Sequence, residues 1–181
     1  MGLPRASSTI LTILMLVVAA RAGGSTFVAN ESKATTTGLS PSGAQYTVPA
    51  SLEISGGTVT FGANNASLGT SVTITAASPA AIPTPKFPLP VAVAAYILKV
   101  SGAVTFQRLP PKLCVMFAQA RPTSGTYTFY FSRNDNNQLL ASASTSAISG
   151  SNLCFAEGTT AANLYPSTVY SLTVMGPGLG T

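Results

Sequence analysis

Residues 170–174 read Tyr-Ser-Leu-Thr-Val, and residues 71–76 read Ser-Val-Thr-Ile-Thr-Ala. In both stretches apolar and hydroxylated residues alternate one by one. A period of two puts Tyr170, Leu172 and Val174 on one side of an extended chain, with Ser171 and Thr173 on the other. Such a strand packs one face and leaves the other wet. Working outward, runs rich in Val, Ile, Thr, Tyr and Phe recur at 45–48, 52–54, 58–61, 93–100, 103–106, 112–118, 127–132, 139–142 and 153–156. Gly, Pro, Asn or Ser bounds each of them. No segment shows a helical period with caps. Many short strands between turn signals predict an all-β chain, an antiparallel β-sandwich or barrel.

The runs around Tyr96, Leu98 and Val100 and from Leu113 to Phe117 read as central strands, buried on both faces. Gly56-Gly57 and residues 62–65 read as tight turns. Residues 79–90 hold five prolines, which cannot donate a regular ladder of hydrogen bonds. We expect this segment to run extended, between sheets or along an edge. Residues 141–151 are small and polar and predict an edge strand with a loop.

The first 22 residues have the order of a signal peptide: a basic Arg5, an apolar stretch at 10–18 and the small-x-small triplet Ala20-Arg21-Ala22. The apolar run is shorter than the roughly 20 residues a membrane span needs. The reading is therefore a cleaved signal over 1–22, with no membrane insertion afterwards. A Ser/Thr/Gly-rich leader over 23–43, flexible and with at most one short strand, precedes one sandwich domain over 44–181. The expected location is secreted, extracellular or cell-surface, or the periplasm in a bacterial host.

Two cysteines, Cys114 and Cys154, have no CxxC spacing. In an exported chain an even count reads as one disulfide. Charged residues are 7% of the chain, against roughly 25% in an average soluble domain. This rules out an acidic tail, a basic nucleic-acid arm and a charge-laced helical bundle. Without Arg5 and Arg21 the chain carries seven basic against four acidic residues, net +3, and the bases are scattered. Nucleic acid is not an expected partner.

The chain has no His, the commonest general base and metal ligand. A Ser nucleophile then needs a Lys as base. Lys99 lies in an apolar strand, but no SxxK motif accompanies it, and a Lys stem on a sheet normally carries its amine to water. Glycoside hydrolysis needs two carboxylates across a cleft. Glu31 lies in the leader, Glu53 faces solvent, and Asp135 and Glu157 sit in or near turns. Residues 133–138 offer one carboxylate among amides, a composition that also suits a hairpin turn. No catalytic, cofactor or metal site is expected. Asn30 and Asn65 head glycosylation sequons, Asn30-Glu31-Ser32 and Asn65-Ala66-Ser67.

Leu164, Pro166, Tyr170, Leu172 and Val174 share the spacing L-x-P-x-x-x-Y-x-L-x-V. It resembles the passage from strand E to strand F in fibronectin type III and other immunoglobulin-like domains. That resemblance implies an immunoglobulin-like sandwich with Tyr170 as its corner residue, the hydroxyl bonding back to backbone just upstream. The chain lacks the core Trp usual in those domains. Residues 91–175 also look like secreted β-proteins with a Val-Thr-Phe strand before a Pro-rich turn. The expected function is a non-catalytic surface, extracellular-matrix or adhesion-type module with a protein or glycan partner. The alternatives are a carrier of a small apolar ligand inside a barrel, lined by 93–100 and by Phe117, Tyr127, Phe129, Tyr130 and Phe131, and a small secreted hydrolase.

Overall fold

A computed structural model describes residues 28–51, 54–78, 91–134, 138–146 and 148–177. In chain order its strands are β1 (Val28–Gly38), β2 (Ala44–Thr47), β3 (Ile54–Phe61), β4 (Ser71–Ser78), β5 (Val91–Val100), β6 (Val104–Leu109) and β7 (Lys112–Phe117). There follow β8 (Tyr127–Arg133), β9 (Leu139–Thr145), β10 (Ile148–Ser149), β11 (Asn152–Phe155), β12 (Thr160–Leu164) and β13 (Tyr170–Gly176). The described residues contain no helix. One sheet has the order β1-β4-β5-β13-β8-β9, a second β10-β11-β7-β3-β2, and β12 pairs with β6 alone. All pairings are antiparallel.

The two larger sheets pack as a sandwich around one core. Ile74, Leu98, Phe131 and Leu172 reach it from the six-stranded sheet; Val59, Phe61, Leu113 and Leu153 reach it from the five-stranded one. The alternation at 71–76 and 170–174 therefore has its physical cause in the core. Val72, Ile74, Tyr170, Leu172 and Val174 are all buried there. Ser171 and Thr173 point the other way, yet they too are buried. β13 is central, and Ile97 and Ser132 flank Ser171 while Ala95 and Tyr130 flank Thr173. Small side chains on a central strand, with a neighbour on each side, lose most of their water.

Three expectations need correction. The leader over 23–43 contributes β1, an eleven-residue edge strand. It lacks an apolar period, but its Thr residues suit a strand, and pairing with β4 satisfies the backbone along one side. Gly56-Gly57 is no turn: both glycines lie inside β3, beside a bulge between Ile54 and Gly56 that breaks the apolar pattern. β7 alternates buried and exposed residues instead of burying both faces, because only one side of its sheet meets the core. The strands flanking 79–90, β4 and β5, are neighbours in one sheet. Residues 79–90 themselves lie outside the described residues. β12, which sequence patterning missed, is mostly exposed and shows little alternation.

Three tyrosines fasten loops to strands. The Tyr170 hydroxyl accepts from the Tyr165 N–H at 2.7 Å, five residues upstream. The Tyr127 hydroxyl donates to the Pro122 carbonyl at 2.8 Å, again five residues upstream. The Tyr46 hydroxyl accepts from the Ser40 N–H at 3.2 Å. In each case the ring is buried and the hydroxyl fills the hydrogen-bonding need of an incoming loop.

Tyr96 is the contrast. It is fully buried on β5, and among the described residues its hydroxyl has no hydrogen-bond partner. A hydroxyl taken from water without compensation costs about 1–3 kcal/mol. Tyr96→Phe is therefore expected to unfold at the same or a higher urea concentration than the wild type. Burial also raises the Tyr96 pKa well above its ordinary value of 10.0. The unfolded chain loses this proton near pH 10 while the folded one keeps it, so stability is complete below pH 10 and falls as pH rises beyond it. Urea unfolding at pH 9 and pH 11 should show a smaller loss in Tyr96→Phe than in the wild type. An equal loss in both would remove Tyr96 as its source.

Candidate functional site

The outer face of the five-stranded sheet is built from three rows of cross-strand neighbours. Thr47, Thr58, Cys114 and Cys154 form the middle row, one residue from each of β2, β3, β7 and β11. Gly56, Met116, Asn152 and Ser149 form the row on one side; Gln45, Thr60 and Lys112 form the row on the other. Lys112 is the one charge in the three rows.

Cys114 and Cys154 are bonded, as their count implied, and stand directly opposite each other with their Cα atoms 4.1 Å apart. The placement follows from strand alternation. Leu113, Val115, Leu153 and Phe155 are buried, so the cysteines between them point outward. Cys154 is exposed and Cys114 half-buried. The bridge thus lies on the surface, outside the core.

Next to it the sheet is hollowed. The bulge residue Ser55 donates its hydroxyl to the Met116 carbonyl at 3.0 Å. Gly56 then places no side chain beside Met116, and open space lies where its Cβ would be. Gly57 is glycine for a different reason: a Cβ there would collide with the Cys114 carbonyl and the Val48 side chain. A shallow cleft of about 270 Å³ lies over the disulfide, lined by Gly57, Thr58, Val115, Met116 and Asn152 as well as both cysteines. Met116 is 44% exposed at its wall. The exposed lining of this cleft is mostly apolar, with the Thr58 hydroxyl and the Asn152 amide as its polar side-chain groups.

The other sequence-predicted residues lie elsewhere. Glu157 faces Arg108, with 3.5 Å between Oε2 and Nη1. Glu53 and Asp135 lie outside the described residues, as does most of the amide-rich turn around Asp135. Lys99 is exposed on β5, opposite Thr73. Asn30 lies in β1. Asn65 is exposed, and its Oδ1 accepts from the Thr105 N–H at 2.6 Å, which fastens the loop after β3 to β6. Among the described residues no three of Cys, Asp and Glu gather in a metal-binding arrangement.

At the far end of the core Arg121 is buried, with its guanidinium 5.1 Å from the centre of the Phe117 ring. Burial raises the Tyr127 pKa, and the charge of Arg121 partly opposes that rise. Sequence reasoning missed both Arg121 and the loop-fastening roles of Tyr127 and Tyr46. One signal was present: Pro41, Pro122 and Pro166 each precede the relevant tyrosine by four or five residues. Comparison with protein-family models, curated proteins and solved structures finds no match to this chain.

Proposed function

We propose that this chain is an exported, non-catalytic β-sandwich that acts as a binding and structural module at the cell surface or in the extracellular matrix. The observation that carries this reading is the outer face of the five-stranded sheet. It is open, carries one charge in three rows and is cross-linked through its centre by the disulfide. Such a face suits a partner of low charge, a glycan or a protein surface. The disulfide also accords with an oxidising compartment.

The immunoglobulin-like character is supported by Tyr170, which is buried and bonds back to Tyr165 as a corner residue would. The six-, five- and two-stranded arrangement is larger than the seven to nine strands of those domains. The aromatic residues that a carrier would use pack on one another: Phe117 on Tyr127, Phe129 on Phe155 and Phe131 on Tyr170. Tyr130 alternates to the opposite face of β8. These contacts favour the module over the carrier.

A photo-crosslinking residue at Met116, in the middle of the proposed face, should capture the partner from the native extracellular medium. The same residue at Lys99, exposed on the other sheet, should not. Equal capture from both positions, or capture from Lys99 alone, would sink the reading.

A further inference from the structure

We propose that Asn65 is a glycan attachment site, and that the folded protein carries an N-linked sugar there without losing any contact of the loop. The proposal rests on the export part of the reading above and not on the surface-module part. Asn65 lies between β3 and β4, at the head of the sequon Asn65-Ala66-Ser67. Its Oδ1 accepts from the Thr105 N–H at 2.6 Å. A backbone N–H can only donate, so this bond fixes which way round the amide lies. The oxygen faces Thr105, and the nitrogen that a sugar would join is turned away from it. The residue is exposed.

The adjacent asparagine does the opposite. Asn64 Nδ2 donates to the Ser40 carbonyl at 2.8 Å and to the Gly62 carbonyl at 3.2 Å, while its Oδ1 accepts from the Ala66 N–H at 3.0 Å. Asn64 thus holds the loop and Asn65 points its nitrogen outward from it. Past the acceptor the loop stands in solvent: Ser67 is exposed, Leu68 is fully exposed, and a Cβ on Gly69 would meet nothing within 4 Å. A branched sugar has room there. In the step, Nδ2 bonds to the anomeric carbon of an oligosaccharide carried on a polyprenyl diphosphate. The bond from that carbon to the diphosphate oxygen breaks and its electron pair leaves on the diphosphate. One Nδ2 proton goes to a base of the host transferase, and nothing is oxidised or reduced. Oδ1 takes no part, so it stays available to Thr105.

The test places the full chain behind a heterologous secretion signal in a eukaryotic cell, so that entry into the pathway does not depend on residues 1–22. A parallel culture with the chain's own N-terminus reads the export part by itself. Secreted protein is treated with peptide N-glycosidase in heavy-oxygen water and mapped by mass spectrometry. Most secreted chains should carry the label at Asn65. Ser67→Ala, which breaks the sequon and keeps the amide, should lose it completely. So should Asn65→Asp, which keeps an acceptor oxygen for Thr105. The glycosylated protein should unfold at the same urea concentration as Ser67→Ala, or a higher one. Secreted chains unlabelled at Asn65, or label confined to chains retained in the cell, would overturn the proposal. A markedly lower midpoint for the glycosylated protein would also overturn it, because the sugar would then have displaced Oδ1 from Thr105.

Discussion

Replacing both cysteines, as Cys114→Ala with Cys154→Ala, is expected to lower the unfolding free energy by about 4 kcal/mol. The bridge joins residues 40 apart, and it limits the freedom of that loop in the unfolded chain. A domain of this size has a total stability of about 5–15 kcal/mol, so the loss is severe. It should not abolish the fold. Leu153 and Phe155, on either side of Cys154, are buried in the core and keep β11 on β7 without the bridge. Urea unfolding of the double variant should keep a cooperative transition at a much lower midpoint. A change below about 1 kcal/mol would mean that the unfolded chain is already restricted without the bridge.

The second large effect concerns the tyrosine hydroxyls. Tyr170→Phe strands the Tyr165 N–H, and Tyr127→Phe strands the Pro122 carbonyl. Each should cost about 1–3 kcal/mol, because a partner remains without its bond. Tyr165→Phe should cost far less, since Tyr165 is 45% exposed. The comparison is internal: all three substitutions remove one phenolic oxygen. If all three unfold at the same urea concentration, the buried hydroxyl bonds contribute nothing and the rings alone hold the loops.

The parts of this fold that were legible in sequence are those where one physical cause dominates. Val72 and Ile74 alternate with Thr because only one side of β4 reaches the main core. β5 reads as buried throughout, and it is, apart from Lys99 and a half-buried Ala92 among its described side chains. Where causes compete, the pattern fails. β1 is held by edge pairing, which leaves no apolar signature. Gly56 and Gly57 have the composition of a turn, yet both lie inside β3: Gly56 follows a bulge, and at Gly57 a crowded backbone leaves no room for a Cβ. The disulfide followed from the count of cysteines. Its outward direction required knowing that Leu113, Val115, Leu153 and Phe155 own the inner face. The cleft over it was not legible, because register across β3, β7 and β11 creates it and no single segment encodes it.

The position of β13 has a consequence for the order of assembly. This strand, the last in chain order among the described residues, lies between β5 and β8 in the middle of the six-stranded sheet. A chain emerging from its N-terminus can form β1-β4-β5 and β8-β9, but these remain two fragments with open inner edges until residues 170–176 arrive. Their joining also closes long loops, which slows folding. A chain stopped before Thr168 should therefore lack a cooperative urea transition, and finding one would show that the half-sheets stand alone. Late closure of this kind leaves the nascent chain unlocked until β13 has been made.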